Sequence, residues 1–468
     1  MSLESSLSQL NLLLQGQQEN DGDSKRKRSW RRSLTSVIRR KRLSRPVIEK
    51  VFNDTVISDE APPNREATPN RRLPAELCDR IVDFLHDDPY TLAACCLTCR
   101  SWVPASRHHL FYNIRLTREN VARFNLILDA NVSLGLCVKV VTVDYRLQHK
   151  DFVKGVSDRF AKDCAHLEEA IKRLHNVTTL RFTEIHLDSR MTKRIALLSQ
   201  SLETLEFDSL VICDRQQLAE AIYSLPRLKT LVIKGHFCGT SWTTTIPSPL
   251  RPDPPTLSHL FITLVPFGDD IQALLAPLTT SKILCMLKEL TVIAYEARGL
   301  DALFAELGPA LETLTIVMHR LVDPRDIRCN LAQCTNLRRI RFMASTPFLL
   351  PQRWHFYRRP PPPQPTWVAK FLSQISTDSV RSVAIAFDPN QRTGLPDLSW
   401  VEEMALPLSR PEFKELNTVA FQITSIRYER QLRDYIRREL PELCERDIVT
   451  IRSLPLRRAD RERDLVFI

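Results

Sequence analysis

A six-residue apolar pattern recurs ten times between residues 138 and 421, and it constrains the fold of this chain more than any other feature. Each copy has an apolar residue, two residues of any kind, an apolar residue, one residue of any kind and a last apolar residue, as in VTTLRF and LKELTV. The copies begin at Val138, Val177, Leu202, Leu228, Leu257, Leu287, Leu311, Leu337, Val380 and Leu416. Because side chains alternate between the two faces of a strand, this spacing predicts a series of short strands, each buried on one face.

The distance between copies indicates a repeat architecture. Subtracting the starting positions gives intervals of 24 to 43 residues, and six of the nine intervals fall between 24 and 30 residues. Helical patterns follow several copies, for example at 214–225, 298–307 and 428–440. This arrangement resembles the leucine-rich repeat, whose period is about 20 to 29 residues. The resemblance implies an α/β fold over residues 116–468, a leucine-rich-repeat-like solenoid with a parallel sheet. No asparagine recurs at the position where the usual repeat forms an inner ladder, so the solenoid is expected to be irregular.

The residues between the apolar positions are expected to face away from the core, on the concave side of such a solenoid. They carry charges of both signs and one large aromatic ring, which suits protein recognition better than a small-molecule cavity. The candidate substrate-binding residues are Arg181, Glu206, His259, Phe261, Glu289, Arg339 and Arg341. A solvated face without a ligand, and a site on the convex face or in the loops, are the alternatives.

Residues 73–115 have a different pattern, which predicts three short helices. Pro74 suits the first position of a helix, and Leu77, Ile81 and Leu85 recur every four residues along one side of it. Pro89 interrupts this helix, and Thr91 can cap the next one. A unit of this size is too small to be stable without a neighbouring domain or a partner, so its apolar stripe is expected to be covered.

The same segment resembles the F-box in its opening Leu-Pro, its Glu-Leu pair and its later CRSW turn at residues 99–102. Together with the degenerate repeats, it looks most like the F-box proteins that are abundant in mushroom-forming fungi. The resemblance implies that this segment binds a Skp-type adaptor, which in turn contacts a cullin scaffold. The residues that would supply the adaptor-binding face are Leu73, Pro74, Leu77, Ile81, Leu85, Leu92 and Trp102.

Residues 1–72 are basic and poor in aromatic residues. They hold 15 Lys and Arg residues against 9 Asp and Glu residues, and two basic clusters lie between Lys25 and Arg45. Such a composition predicts a disordered tail. The clusters resemble a bipartite nuclear-localisation signal, although a plain solvated tail is an equal alternative. The rest of the chain is nearly balanced in charge, so nucleic acid is not an expected partner.

Other sequence features exclude several kinds of function. No run of about 20 apolar residues is present, and the start of the chain lacks a secretory leader, so a soluble protein of the nucleus or the cytoplasm is expected, with no membrane contact. Neither of the two glycine-rich phosphate-binding motifs, GxxxxGK(S/T) and GxGxxG, occurs in the sequence, and no cofactor is expected. Twelve cysteines without framework spacing fit reduced thiols, and the one notable CxxC, Cys96 to Cys99, fits helix packing better than metal binding.

These observations and the F-box resemblance lead to a hypothesis of function. The chain is expected to be a non-catalytic substrate receptor of a Skp-cullin-F-box type ubiquitin ligase, with a protein target of unknown identity. The alternative is a non-degradative F-box scaffold that tethers partners in the nucleus, which the basic tail would favour. A hydrolase with an unrecognised fold is a distant third hypothesis, because no catalytic signature is present.

Overall fold

The structure is a computed structural model, and it forms two compact units. It describes residues 74–98, 100–144, 157–183, 186–187, 189–212, 215–237, 255–264, 278, 283–294, 300–318, 331, 333–344, 365–387, 398–423 and 428–453. Among the described residues, those of 74–112 and 122–137 belong to the helical unit, and those of 113–121 and 138–453 belong to the sheet unit. The basic tail at 1–72, including the expected import signal, lies outside the described residues, as does most of the proline-rich segment before Trp367.

Short helices form the described part of the helical unit. They are α1 (Ala75–Phe84), α2 (Pro89–Thr98), a single 3-10 turn (Arg100–Trp102), α3 (Val103–Tyr112), α4 (Val121–Ala130), whose first residue belongs to the sheet unit, and α5 (Leu134–Cys137). Pro74 precedes α1, where its missing N–H costs no hydrogen bond. Val82, Leu92, Cys95 and Phe111 are buried.

The cap of α2 differs from the expectation that Thr91 would start this helix. Asp88 caps it instead, since its carboxylate accepts hydrogen bonds from the backbone N–H groups of Tyr90 and Thr91, both at 3.1 Å. The Thr91 hydroxyl also donates to this carboxylate at 2.6 Å, and this bond is the main reason that the pKa of Asp88 lies below its usual value. Pro89 therefore occupies the first helical position, which its fixed φ suits.

One parallel sheet organises the sheet unit, with twelve strands side by side in chain order and the two-residue β4 beside β5. The strands are β1 (Asn113–Thr117), β2 (Val140–Asp144), β3 (Thr179–Thr183), β4 (His186–Leu187), β5 (Thr204–Ile212), β6 (Thr230–Phe237), β7 (His259–Leu264), β8 (Glu289–Ala294), β9 (Thr313–Met318), β10 (Arg339–Ala344), β11 (Ser382–Phe387), β12 (Thr418–Ile423) and β13 (Val449–Ser453). The prediction of an α/β fold with a parallel sheet is confirmed.

Helices connect many of the strands, as the repeat pattern predicts. Those described are α6 (Ser157–Lys172), α7 (Ser189–Ala196), α8 (Arg215–Tyr223), α9 (Leu300–Ala305), α10 (Trp367–Ser373), α11 (Ser399–Leu408), α12 (Glu429–Glu439) and α13 (Pro441–Glu445). The three helical patterns named from the sequence correspond to α8, α9 and α12. Parallel strands need such crossovers, because a tight turn cannot return the chain to the start of the next strand.

The apolar positions of the repeated motif form the core of the sheet unit. The fourth position of each motif lies in register with the next, from Leu180 on β3 through Leu205 and Leu231 to Val419 on β12. Members of this row are at most 2% exposed. Burying each such side chain stabilises the fold by roughly 1.5–3 kcal/mol relative to leaving it in water.

Gly308 lies at a close approach between consecutive repeats, and this leads to a prediction. A Cβ atom at this position would lie 2.8 Å from the backbone oxygen of Cys285. We expect Gly308→Ala to lower the free energy of unfolding by about 1–3 kcal/mol, because a backbone carbonyl cannot rotate away as a flexible side chain can. Urea denaturation of both proteins measures this difference. Equal midpoints would show that the two segments separate without cost.

Candidate functional site

Helix α1 carries two adjacent apolar stripes with different surroundings. One stripe contains Val82, which is fully buried, and the half-buried Cys78 and Leu85. Leu77, Ile81 and Phe84 form the second stripe, named here the α1 stripe, and their exposed fractions are 45%, 40% and 88%. Residues three and four positions apart share one side of a helix, so these three side chains form a continuous apolar surface. Exposed apolar stripes of this kind are typical of docking sites.

The other predicted adaptor-binding residues differ in their exposure to solvent. Pro74 is exposed, and Leu85 and Trp102 are half-buried. Leu92 is only 1% exposed, so it belongs to the core of the helical unit rather than to its surface. Leu73 and Cys99 lie outside the described residues. The structure therefore brings Leu77 and Ile81 together at the surface and separates Leu92 from them.

Phe84 completes the α1 stripe, although the set of adaptor-binding residues predicted from the sequence omits it. Its ring is the most exposed large apolar side chain among the described residues. The signal that identifies it is its spacing, three residues after Ile81 and seven after Leu77, which places all three on one helical face.

An imidazole holds α1 against α3. His109 Nε2 lies 2.7 Å from Asp83 Oδ1, and the His109 side chain is 21% exposed. Asp83 lies between Val82 and Phe84, so this contact acts beside both apolar stripes of α1. The rings of His86 and His109 lie 6.4 Å apart, centroid to centroid. These contacts fix the rotation of α1 and thereby the direction of the α1 stripe.

The seven predicted substrate-binding residues fall into two rows across the sheet. The first row contains Asn113, Val140, Thr179, Thr204, Thr230, His259, Glu289, Thr313, Arg339, Ser382 and Thr418. The second row contains Arg115, Thr142, Arg181, Glu206, Val232, Phe261, Thr291, Thr315, Arg341, Ala384, Ala420 and Thr450. Both rows lie on the side of the sheet opposite the apolar core row, and this side is named the open face.

In the first row, polar contacts span four strands. His259 Nε2 lies 3.5 Å from Glu289 Oε2, and the other oxygen of this carboxylate lies 3.9 Å from Arg339 Nη2. Arg339 Nε also donates to the Thr313 hydroxyl at 3.1 Å. Glu289 thus faces two basic side chains, and Arg339 is oriented by neighbours on both β8 and β9.

Three contacts of the second row are separate pairs and share no side chain, unlike those of the first row. Arg181 Nε lies 2.8 Å from Glu206 Oε2, and Arg341 donates to Gln422 Oε1 at 2.8 Å across two strands. The Lys234 ammonium lies 5.5 Å from the centre of the Phe261 ring, within the range of a cation–π contact. Phe261 is half-buried and lies beside Val232. The middle of the open face therefore combines an apolar pair with a nearby cation.

The open face is not uniformly exposed. Thr315 lies between apolar positions of its motif, where side chains are expected to face away from the core, but it is only 8% exposed. Two residues further along their strands, Ile293 and Val317 project to the same side and are 5% and 0% exposed. An accessible polar band is therefore confined, on β8 and β9, to the first residues of each strand.

The His259 imidazole lies between the Ser258 hydroxyl and the Glu289 carboxylate, which is the order of groups in a catalytic triad. The Ser258 hydroxyl lies 2.8 Å from His259 Nδ1, but it also donates to the Lys229 carbonyl at 3.1 Å. With that proton committed, the imidazole must donate to the hydroxyl, which is the opposite of the direction that a general base requires. His259 and Glu289 are each 46% exposed, so water competes for both groups. This trio is better suited to surface recognition.

Comparison with known proteins adds no family to this description. No family model and no curated protein matches the chain. Among the described residues, no three His, Cys, Asp or Glu side chains converge as metal ligands would. None of the described helices has the length and apolarity needed to cross a membrane. The candidate surfaces are thus the α1 stripe and the open face of the sheet.

Proposed function

We propose that this chain is the substrate-recognition subunit of a Skp-cullin-F-box type ubiquitin ligase. In this proposal, the F-box comprises residues 73–115 and binds a Skp-type adaptor, and an irregular leucine-rich-repeat-like domain binds a protein target. The α1 stripe is the observation that carries the proposal. It places Leu77, Ile81 and Phe84 in water, where three apolar side chains are costly without a partner.

The surroundings of the α1 stripe favour a protein partner. A second stripe already anchors α1 through Val82, so the exposed stripe is not needed for the core of the helical unit. Apolar anchors at the centre of an interface contribute most of the binding energy once water is excluded. Pro74 and Trp102, of which the first is exposed and the second half-buried, would extend the contact, whereas Leu92 would support it from the interior.

The open face of the sheet is the proposed surface for the target. Phe261 and Val232 would supply an apolar anchor, and the charged side chains of both rows would select among partners. A receptor of this kind needs no catalytic group of its own. By holding the target near a conjugating enzyme, it raises the effective concentration of acceptor lysines, and the transfer chemistry belongs to its partners.

Co-purification of the full chain from cells with the adaptor and the cullin tests this proposal. Leu77→Asp/Ile81→Asp is expected to lose both partners, because two carboxylates in a desolvated contact leave buried charges unpaired. Leu406→Asp is the matched control, since Leu406 is 81% exposed on α11 of the sheet unit. Equal recovery of the adaptor with the native chain and the double variant would contradict the proposal.

The alternative function is that of a non-degradative scaffold in the nucleus. The basic clusters between Lys25 and Arg45 favour it, because such clusters suit nuclear import. The same purification separates the two functions. Adaptor together with cullin supports the receptor, whereas adaptor without cullin supports the scaffold.

A further inference from the structure

The residues immediately before the strands form a further row, the edge row, which adjoins the first row of the open face along the backbone. This edge row includes Lys288, Glu312, Arg338 and Arg381, which precede β8 to β11. The backbone carbonyl of each residue bonds to the next repeat, as when the Lys288 oxygen accepts from the N–H groups of Glu312 at 2.9 Å and Thr313 at 3.0 Å. Neighbouring members of the edge row are therefore about one strand spacing, ~4.8 Å, apart at the backbone.

Three arginines are backbone neighbours where β10 and β11 begin. Arg338 and Arg381 are adjacent in the edge row, and Arg339 follows Arg338 as the first residue of β10. All three side chains are exposed. They are named here the basic corner.

The charge of the basic corner is poorly compensated. Within the part of the chain that the structure describes, neither Arg338 nor Arg381 takes part in an ion pair. Arg339 reaches a carboxylate only at 3.9 Å, and His259 competes for it. Glu312, which precedes the neighbouring strand β9, does not pair with Arg338 in the described structure. Three arginines whose backbones lie this close bring like charges into one region, so an anionic partner would stabilise the arrangement.

We propose that the basic corner binds acidic side chains of an extended protein segment that crosses the open face and places an apolar side chain against Phe261. This inference rests on the proposed function only in assigning the open face to the target. Arginine suits the role, because its planar fork can bind a carboxylate through two parallel hydrogen bonds. The hydrogen bond that Arg339 Nε donates to the Thr313 hydroxyl at 3.1 Å orients its side chain, which lowers the entropy cost of binding.

The positions of Phe261 and of the basic corner set the spacing between the apolar residue and the acidic residues of the partner. Phe261 lies on β7 and Arg381 precedes β11, four strands away. At about 4.8 Å between strands this is roughly 19 Å, and Arg381 also lies about 10 Å before the residue of β11 that is in register with Phe261. The separation is therefore about 22 Å, which an extended segment spans in about seven residues. Arg339 on β10 is three strands away and precedes Arg341, which is in register with Phe261, so its backbone lies about 16 Å from that of Phe261, or about five residues. The partner is therefore expected to have acidic residues about five to seven positions from an apolar residue.

The distribution of charge favours a protein over a nucleic acid. Glu206 and Glu289 lie on the open face, and Glu203 and Glu312 lie in the edge row. These carboxylates would repel a phosphate backbone that runs along the sheet, where every nucleotide carries a negative charge. A protein segment with acidic residues at a few positions avoids this repulsion.

An array of ten-residue peptides, probed with the labelled full-length chain, tests the proposal. Each peptide carries one Phe, and the remaining positions are Glu or Gln. The native chain is expected to prefer Glu over Gln at about five to seven positions from Phe. Arg338→Gln/Arg381→Gln is expected to weaken binding to the best peptide by about tenfold, and Arg338→Lys/Arg381→Lys by less, because the charge remains.

Lys229→Gln is the matched control, because Lys229 occupies the same edge row but already pairs with Glu203 at 3.0 Å. It is expected to leave peptide binding unchanged. The proposal is overturned if the native chain shows no preference for Glu, or if Arg338→Gln/Arg381→Gln binds as tightly as the native chain. A single-stranded DNA of ten nucleotides that outcompetes the best peptide would also overturn it, in favour of nucleic-acid binding.

The adaptor assay separates failure of this proposal from failure of the proposed function. Arg338→Gln/Arg381→Gln is expected to recover the adaptor as the native chain does, and Leu77→Asp/Ile81→Asp is expected to keep the preference for acidic peptides. Loss of adaptor recovery in the arginine variant would show that these residues support the fold rather than the target, which would overturn the inference. Absence of adaptor from every sample contradicts only the proposed function.

Discussion

Trp367→Ala is expected to lower the free energy of unfolding by about 3–5 kcal/mol, a large effect for one residue of the sheet unit. Trp367 on α10 is fully buried. Its ring packs edge-to-face against Phe342 on β10 at 5.5 Å and against Phe371 at 5.6 Å, centroid to centroid. Truncation removes both aromatic contacts and leaves a cavity between helix and sheet.

Urea denaturation measures this effect, with two variants that separate its causes. Leu406→Ala changes a side chain that is 81% exposed, so its stability should stay within about 0.5 kcal/mol of the native value. Trp367→Phe should cost less than Trp367→Ala, because an aromatic ring still fills most of the space; both changes remove an indole N–H that is buried without an acceptor among the described residues. A Trp367→Ala midpoint equal to that of Leu406→Ala would contradict the packing of α10 on the sheet.

Phe84→Ala is expected to affect adaptor binding, whereas Leu92→Ala is expected to affect stability. Phe84 is 88% exposed, so its loss should leave stability nearly unchanged but weaken adaptor binding by about 2 kcal/mol, roughly 30-fold. Leu92 is 1% exposed, so its loss should destabilise the helical unit by about 2–5 kcal/mol. Thermal unfolding and titration calorimetry against the purified adaptor measure the two quantities.

Leu97→Ala is a suitable control for this comparison, because Leu97 is 55% exposed on α2 and lies outside the α1 stripe. It is expected to change neither quantity strongly. If Leu92→Ala weakened adaptor binding at full stability while Phe84→Ala did not, the adaptor would have to bind another face of the helical unit.

The sheet could be predicted from the sequence because its signal is local and repeated. Each strand needs alternating apolar residues, and each motif supplies them within six residues, so Leu180 and Leu205 identify the core face without tertiary information. The register follows from the motif as well, since slipping by one residue would turn every apolar side chain to the open face.

The choice between the two stripes of α1 could not be predicted in the same way. Leu77 and Val82 are both apolar and lie on neighbouring sides of one helix. Which stripe is buried depends on how α2 and α3 pack against α1, including the contact between His109 and Asp83. Helical periodicity identifies an apolar surface but not what packs against it, so it does not distinguish the buried Leu92 from the exposed Phe84.

The contacts on the open face depend on the reach of long side chains. Register alone places His259 beside Glu289, but the position of Arg339 relative to the same carboxylate depends on its rotamer. Arg338 and Arg381 lie before their strands begin, where the alternation of side chains no longer defines a direction. The basic corner therefore emerged only from the three-dimensional structure.

The most direct test of the proposed function mixes the purified full-length chain with a purified Skp-type adaptor and measures the mass of the product by size-exclusion chromatography with light scattering. The native chain and Leu406→Asp are expected to form a one-to-one complex, whereas Leu77→Asp/Ile81→Asp should elute alone with unchanged thermal stability. A native chain that elutes alone, or a double variant that binds as the native chain does, would contradict the assignment of the α1 stripe to the adaptor.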